Sequence, residues 1–173
     1  MAEPKEETSP SSNSSNVAAA TTANKKSFIG SCHCGAIRYK VSLALPAPPA
    51  QPTASRCNCT ICQKQGFTGV RIDDPTHDFT LLSPASLDQL SDYQFRSPDI
   101  HNYFCGRCGV SVLGAGKFEY QNQVHELFKL NVLTLEQPQE GLDLSTFKIK
   151  YWDGRNDNWM AGQKDMPWPG GCL

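Results

Sequence analysis

Three short cysteine clusters constrain the fold of this chain more than any other feature. They read CHCG at residues 32–35, CNCTIC at 57–62 and CGRCG at 105–109, and they hold all but one of the eight cysteines. The N-terminal stretch MAEPKEETSPSSNSSN has no apolar segment, so we do not expect a signal peptide. Because the cytoplasm keeps thiols reduced, the clusters predict metal ligands rather than a disulfide framework.

The first and third clusters each have a glycine directly after the last cysteine, Gly35 and Gly109. Zinc knuckles are tight turns whose backbone N–H groups point at the thiolate sulfurs, and glycine permits the positive φ that such turns need. Two knuckles with two cysteines each make a closed tetrahedral site, the usual structural zinc. We therefore predict one structural zinc with the ligands Cys32, Cys34, Cys105 and Cys108. Two zinc ions shared among the clusters in another pairing would also use these cysteines.

The middle cluster supplies three cysteines, Cys57, Cys59 and Cys62, and no fourth. Three protein ligands with one open position are the layout of a catalytic zinc. Three thiolates reduce the Lewis acidity of the metal, so this ligand set favours activation of a sulfur ligand over formation of hydroxide.

Other interpretations of the middle cluster stay open. A histidine could close it as a Cys₃His site, and the candidates are His77, His101 and His125. One thiol could be an ordinary buried cysteine, two could form a redox pair, or all three could hold a metal cluster. Cys172 is interpreted as a spare exposed thiol.

Short β-prone runs predict a mainly β domain of short antiparallel sheets. The alternating run from Ile37 to Leu43 is the clearest strand. Further runs lie at 67–72, 79–83, 92–96, 101–105, 125–135 and 147–152. Helical periodicity is weak, and its best candidate is 83–90. The last run precedes a turn signal at Asp153-Gly154.

Composition divides the chain into two parts. Residues 1–26 consist mostly of small and polar residues and predict a disordered tail. Residues 27–173 are expected to form one zinc-binding domain. The prolines between 44 and 53 predict an extended loop just before the middle cluster.

Charge and hydropathy exclude two classes of partner. The formal net charge is -1 at pH 7 and the basic residues are scattered, so we expect no nucleic-acid partner. No run of about 18 apolar residues occurs, so we expect no membrane partner. The expected setting is the cytoplasm, with a small molecule as partner, and exposed sheet edges would allow a homodimer.

The cysteine motifs and their flanking strands occur in a specific order. They read GSCHCGAIRYKV, CNCTICQKQG, FRSPDIHNYFCGRCGVSV and LNVLTLE, within a stretch from about Phe28 to Trp168. In this order they resemble the glutathione-dependent formaldehyde-activating enzyme family, which also includes the centromere protein V-like proteins. The resemblance implies a β-tent fold of stacked antiparallel sheets, with two zinc ions per chain.

The same resemblance implies roles for the cysteines and a type of chemistry. By residue-wise match, the structural zinc ligands would be Cys32, Cys34, Cys105 and Cys108. The catalytic zinc would be held by Cys57, Cys59 and Cys62. The implied activity is carbon–sulfur bond chemistry with glutathione as co-substrate, such as joining formaldehyde to the glutathione thiol.

The chain departs from the family pattern beside the catalytic cysteines. Asn58 and Thr60 stand where the bacterial enzymes often have His and Ser, and Gln63 displaces the usual basic residue to Lys64. We expect these four residues to contact the substrate or to donate hydrogen bonds to sulfur. The Pro-rich insert at 44–53 would reshape the mouth of the pocket.

Two more residues near this cluster are candidates for binding. Glutathione carries two carboxylates, so a basic partner is expected, with Lys64 first and Arg56 second; a plain surface charge is the alternative for each. Phe67 could line an apolar wall or pack in the core. No general base can be named.

The leading hypothesis is a zinc-dependent carbon–sulfur lyase or synthase that acts on glutathione adducts of an aldehyde or small molecule. A first alternative is a relative recruited to a specialised small-molecule transformation. A second alternative is a non-catalytic, zinc-stabilised binding module. A basic tail would favour the module, but the charges of the first 26 residues balance.

Overall fold

The structure, a computed structural model, describes residues 25–120 and 122–171. The strands are β1 (Lys26–Ser31), β2 (Arg38–Leu43), β3 (Thr53–Cys57), β4 (Thr68–Arg71), β5 (Phe79–Ser83), β6 (Ser91–Phe95), β7 (Ser97–Phe104), β8 (Ser111–Tyr120), β9 (Gln123–Asn131) and β10 (Lys148–Trp152). The α-helices are α1 (Thr60–Gln65) and α2 (Pro75–Asp78). Single 3-10 turns lie at Leu87–Gln89, Val132–Thr134, Leu144–Thr146 and Trp159–Ala161. Cys172 and the predicted tail, except Lys25 and Lys26, lie outside the described residues.

The strands form two sheets. The smaller sheet has the order β1-β2-β5, and the larger has the order β10-β3-β4-β9-β8-β7-β6. Neighbouring strands are antiparallel except β10 and β3, which pair in parallel and make the larger sheet mixed. The prediction of a mainly β fold is confirmed.

Most of the predicted runs are strands, and the differences have local causes. The run at 125–135 is β9 followed by a 3-10 turn, and the helix candidate at 83–90 contains only the turn at 87–89. Strand β8 was not predicted, because Gly114 and Gly116 interrupt its β-prone pattern. Helix α1 is six residues long and therefore too short to show a helical period.

Aromatic packing joins the two sheets. Phe79 of β5 lies 5.5 Å from Tyr39 of β2 and 4.9 Å from Phe128 of β9, measured between ring centroids. Tyr39 is fully buried, and its hydroxyl lies 2.6 Å from Oγ1 of Thr134. Its ring lies against Gly30, where a Cβ would overlap it. This core fixes one face of the larger sheet against the smaller one.

The opposite face of the larger sheet carries different residues. In the register of β8 and β9, Ala115 opposes Phe128 and Gly114 opposes Lys129. Because successive side chains alternate between the faces of a sheet, Phe128 faces the smaller sheet and Lys129 faces away from it. The sheet therefore separates the core from a second surface that is lined by glycines and Lys129. No helix among the described residues has the length and apolar character needed to cross a membrane.

Candidate metal centres and an adjoining cavity

Two similar turns build the first cysteine group. In one turn the amide of Cys32 bonds to the carbonyl of Ile37, and in the other the amide of Cys105 bonds to that of Val110. Gly35 and Gly109 have φ of 74° and 76°, with open space where a Cβ would stand. The positive φ, rather than lack of room, therefore explains glycine at both positions, as the sequence predicts.

The structure brings the sulfurs of both turns together. The sulfurs of Cys32, Cys34, Cys105 and Cys108 all lie within 4.8 Å of one another. The Cys34 sulfur is 3.7 Å from that of Cys32 and 3.6 Å from that of Cys105. A tetrahedral zinc with Zn–S bonds of about 2.3 Å needs sulfurs about 3.8 Å apart. The group therefore fits a metal ion of this kind.

Backbone amides and burial suit this group to anionic sulfur. The amide of Ile37 lies 3.2 Å from the Cys32 sulfur. Backbone N–H groups of Val110 and Cys34 hold the pKa of Cys108 at about 6, below its usual value. Cys32 and Cys105 are buried among core residues. A metal held here would cross-link the start of the domain to the β7–β8 connection.

The second group lies at a strand-to-helix junction. Cys57 ends β3, Cys59 is the N-cap residue of α1 and Cys62 lies within α1. Their sulfurs lie within 4.8 Å of one another. No histidine, carboxylate or further cysteine of the described residues joins this group. The structure therefore gives no support to a Cys₃His site: His77 bonds to Asp74, His101 bonds to Asp92, and His125 stacks on Phe118.

The second group also favours anionic sulfur. Hydrogen bonds from the Cys57 and Cys62 thiols lower the pKa of Cys59 far below its usual value. Hydrogen bonding of the Cys62 thiol to Cys57 and then to Cys59, together with burial, raises the pKa of Cys62. Backbone amides of Cys62 and Ile61 add to the stabilisation of Cys59. A donor set of three close sulfurs, one of which readily carries negative charge, fits a thiolate-binding metal such as zinc.

A cavity of about 210 Å³ opens beside this group, on the face of the larger sheet that points away from the core. Cys57 and Cys62 line it, and Gly69 and Gly114 lie in its floor. Its wall is mainly apolar and contains Ile61, Phe67, Phe95, Leu127, Trp152 and Trp159. His101 also lies against the cavity, but strand alternation directs its imidazole to the opposite face of the sheet.

Helix α1 divides the predicted substrate residues from this cavity. Ile61, Cys62 and Gln65 line it, whereas Thr60, Gln63 and Lys64 do not. The two sets occupy opposite sides of a helix of 3.6 residues per turn. Thr60 and Lys64 are exposed, and the Gln63 amide donates to the carbonyl of Gly170 at 2.8 Å.

Asn58 is buried and bonded within the protein. Its Nδ2 donates to Oδ1 of Asp153 at 2.6 Å, and its Oδ1 accepts from the backbone N–H of Arg155 at 2.8 Å. Hydrogen bonds from Asn58 and Asn156 lower the pKa of the buried Asp153 carboxyl. Asn58 therefore ties the 153–155 turn to the cysteine group and does not line the cavity.

The 153–155 turn places Gly154 against a candidate metal ligand. A Cβ at Gly154 would overlap the Cys57 sulfur and would lie 2.8 Å from the Trp159 ring. The turn signal at Asp153-Gly154 was visible in the sequence, but its contact with Cys57 was not.

The structure also places the remaining features that the sequence analysis named near the middle cluster. Phe67 is in the cavity wall, with its ring over Gly69. Arg56 donates from Nε to Oγ1 of Thr68 at 3.1 Å. The Pro-rich loop at 44–53 lines other cavities and not this one, so its predicted effect on the pocket mouth is not seen.

Sequence reasoning missed Lys129, which lines the cavity from β9. No sequence motif marks this residue. Its position follows from the pairing of β9 with β4 and β8.

The chain is similar to a family model, to a named relative and to a solved structure. The family model described as glutathione-dependent formaldehyde-activating enzyme matches residues 27–145. A Halomonas elongata protein with the provisional name glutathione-dependent formaldehyde-activating enzyme is 31% identical over 145 residues, which cover 79% of this chain and 88% of the relative. A crystal structure of a Rhodobacter sphaeroides protein is 26% identical in sequence and has a TM-score of 0.46. The matched region covers 68% of the present chain and 92% of the Rhodobacter sphaeroides chain.

Proposed function

Because the chain belongs to the glutathione-dependent formaldehyde-activating enzyme family, we propose that it is a zinc-dependent enzyme that makes or breaks carbon–sulfur bonds. Its substrates would be glutathione, or another thiol, and an aldehyde or similar small electrophile. Cys32, Cys34, Cys105 and Cys108 would hold a structural zinc. Cys57, Cys59 and Cys62 would hold the catalytic zinc.

One observation carries this proposal: a group of three cysteines lies beside a cavity that two of them line, while four other cysteines form a separate group. A purely structural role would be served by the four-cysteine group alone. The second group instead presents two of its sulfurs to a space that can admit a small molecule. Structural zinc sites are closed by four protein ligands, whereas catalytic sites have three and keep an open position. The two cysteine groups would correspond to these two kinds of site.

The proposed reaction is a balanced addition without any redox change. The thiol sulfur bonds to the aldehyde carbon, and the thiol proton ends on the carbonyl oxygen, which gives a hemithioacetal. The reverse reaction breaks the carbon–sulfur bond and returns the thiol and the aldehyde. Zinc, when bound by thiolates, supplies a position that lowers the pKa of a substrate thiol.

The residues of the chain prepare this chemistry. Asn58 and Asp153 fix the turn that backs Cys57, so the cysteine group is held in place before the substrate arrives. Trp152, Trp159 and Phe67 form an apolar wall that would exclude water from the reacting groups. The many free thiols would be kept reduced in the cytoplasm, where we place the reaction.

The test measures exchange between glutathione and its formaldehyde adduct by NMR, with zinc-loaded protein. We expect the parent to accelerate exchange above the spontaneous rate and Cys59→Ser to lose the acceleration. Lys40→Met is the control, since Lys40 is exposed on β2 and belongs to neither cysteine group. A parent without acceleration, or a Cys59→Ser variant as active as the parent, would contradict the proposal.

A further inference from the structure

The cavity beside Cys57 and Cys62 is larger and more apolar than formaldehyde requires. Its volume is about 210 Å³, whereas a molecule the size of water occupies about 30 Å³ in the liquid. Drug-sized ligands usually fill pockets of about 300–1,000 Å³. The volume therefore suits a molecule of intermediate size, such as one substituted aromatic ring.

The shape of the cavity also favours a flat ring. Gly69 and Gly114 lie in the sheet that forms its floor, so no side chain stands up from the strands at these two positions. Aromatic side chains surround this floor: Phe67, Phe95, Trp152 and Trp159. The rings of Trp152 and Trp159 lie 5.8 Å apart at an angle of 56°. Aromatic rings pack favourably in such offset and tilted arrangements.

One cation interrupts this apolar lining. Lys129 lines the cavity, and its stem lies near Gly69. In the described parts of the chain, no carboxylate or hydrogen-bond acceptor is paired with its ammonium group. Its cross-strand neighbour on β4 is Arg71, a like charge that already pairs with Asp73 at 2.9 Å. An ammonium group with no internal partner at a largely apolar cavity is suited to an anionic group on a ligand.

We propose that this cavity binds an aromatic carboxylate, with its ring against the tryptophans and its carboxylate paired with Lys129. This inference rests on the proposed function, since it names the electrophile, or the adduct carried on sulfur, that the cysteine group would act on. The substrate class is then an aromatic aldehyde, or its thiol adduct, that bears a carboxylate. Lys129 is the residue that determines specificity for the charge.

The experiment measures equilibrium binding of three probes: benzoate, benzamide and acetate. Quenching of Trp152 and Trp159 fluorescence reports occupation of the cavity, with calorimetry as a second readout. We expect benzoate to bind about tenfold more tightly than neutral benzamide, since a charged hydrogen bond is worth about this factor or more. Acetate is expected to bind more weakly than benzoate, because it lacks the ring.

Two lysine variants test the assigned partner. Lys129→Met keeps most of the side-chain length and should abolish the preference for benzoate over benzamide. Lys40→Met is the matched control, since Lys40 is exposed on β2 and does not line the cavity. We expect Lys40→Met to keep the full preference.

The Cys59→Ser variant separates a carboxylate bound by Lys129 from one bound by metal. We expect this variant to retain the benzoate preference. The inference is overturned if no probe binds at millimolar concentrations, if acetate binds as well as benzoate, or if Lys129→Met keeps the preference. It is also overturned if Cys59→Ser alone loses the preference. Failure of the proposed function would look different: the parent would bind benzoate through Lys129 without accelerating glutathione exchange.

Discussion

Replacement of Gly154 by alanine tests the link between the 153–155 turn and the second cysteine group. The added methyl group would overlap the Cys57 sulfur and lie 2.8 Å from the Trp159 ring. Both neighbours must shift, and overpacking of this kind costs about 1–3 kcal/mol. In a domain of this size, that cost lowers Tm by about 2–10 °C. Metal ligands must keep their distances to within about 0.2 Å, so the second zinc should bind about 10–100-fold more weakly.

The assay combines thermal unfolding with zinc competition against a chromophoric chelator. Gly114→Ala is the control, because a Cβ there meets only the carbonyl oxygen of His101 at an ordinary 3.5 Å. We expect Gly154→Ala to weaken one zinc site and to leave the other unchanged. Parental affinity at both sites would refute the assigned contact with Cys57. Equal weakening of both sites would indicate a global defect instead.

Two further predictions concern buried hydrogen bonds. Asn58→Ala removes the bonds to Asp153 and Arg155, so it should lower the free energy of unfolding, measured in urea, by about 2–4 kcal/mol. It should also weaken binding of the second zinc. An unchanged urea midpoint would contradict this. Tyr39→Phe removes the buried hydroxyl that bonds to Thr134, and should lower the free energy of unfolding by about 1 kcal/mol without changing zinc content. Loss of zinc in Tyr39→Phe would show that the core and the metal groups are coupled.

Local sequence signals predicted the grouping of the first four cysteines. Gly35 and Gly109 mark positive-φ turns, and the conformation of such a turn depends mainly on residues within it. Two knuckles of the same kind can then bring their four sulfurs together, as the structure shows. The strands with regular alternation, such as β2 and β10, were predictable for the same reason.

The substrate side of the second group was not predictable in this way. Asn58 and Lys64 are next to the cysteines in sequence, but the end of β3 and the helical period of α1 direct them away from the cavity. The residues that do line it come from distant strands, as Phe95 and Lys129 do. Their approach depends on the register of β4, β9, β8 and β7, which a single sequence does not specify.

The most direct test of the account is the zinc content of protein purified without chelator, for the parent, Cys59→Ser and Cys105→Ser. We predict two zinc ions in the parent and one in a folded Cys59→Ser variant. Cys105→Ser should unfold, because it breaks the group that joins the start of the domain to the β7–β8 connection. Cys172→Ser should keep both ions. A parent with one zinc ion that Cys59→Ser does not remove would contradict the catalytic metal site and leave a zinc-stabilised fold without it.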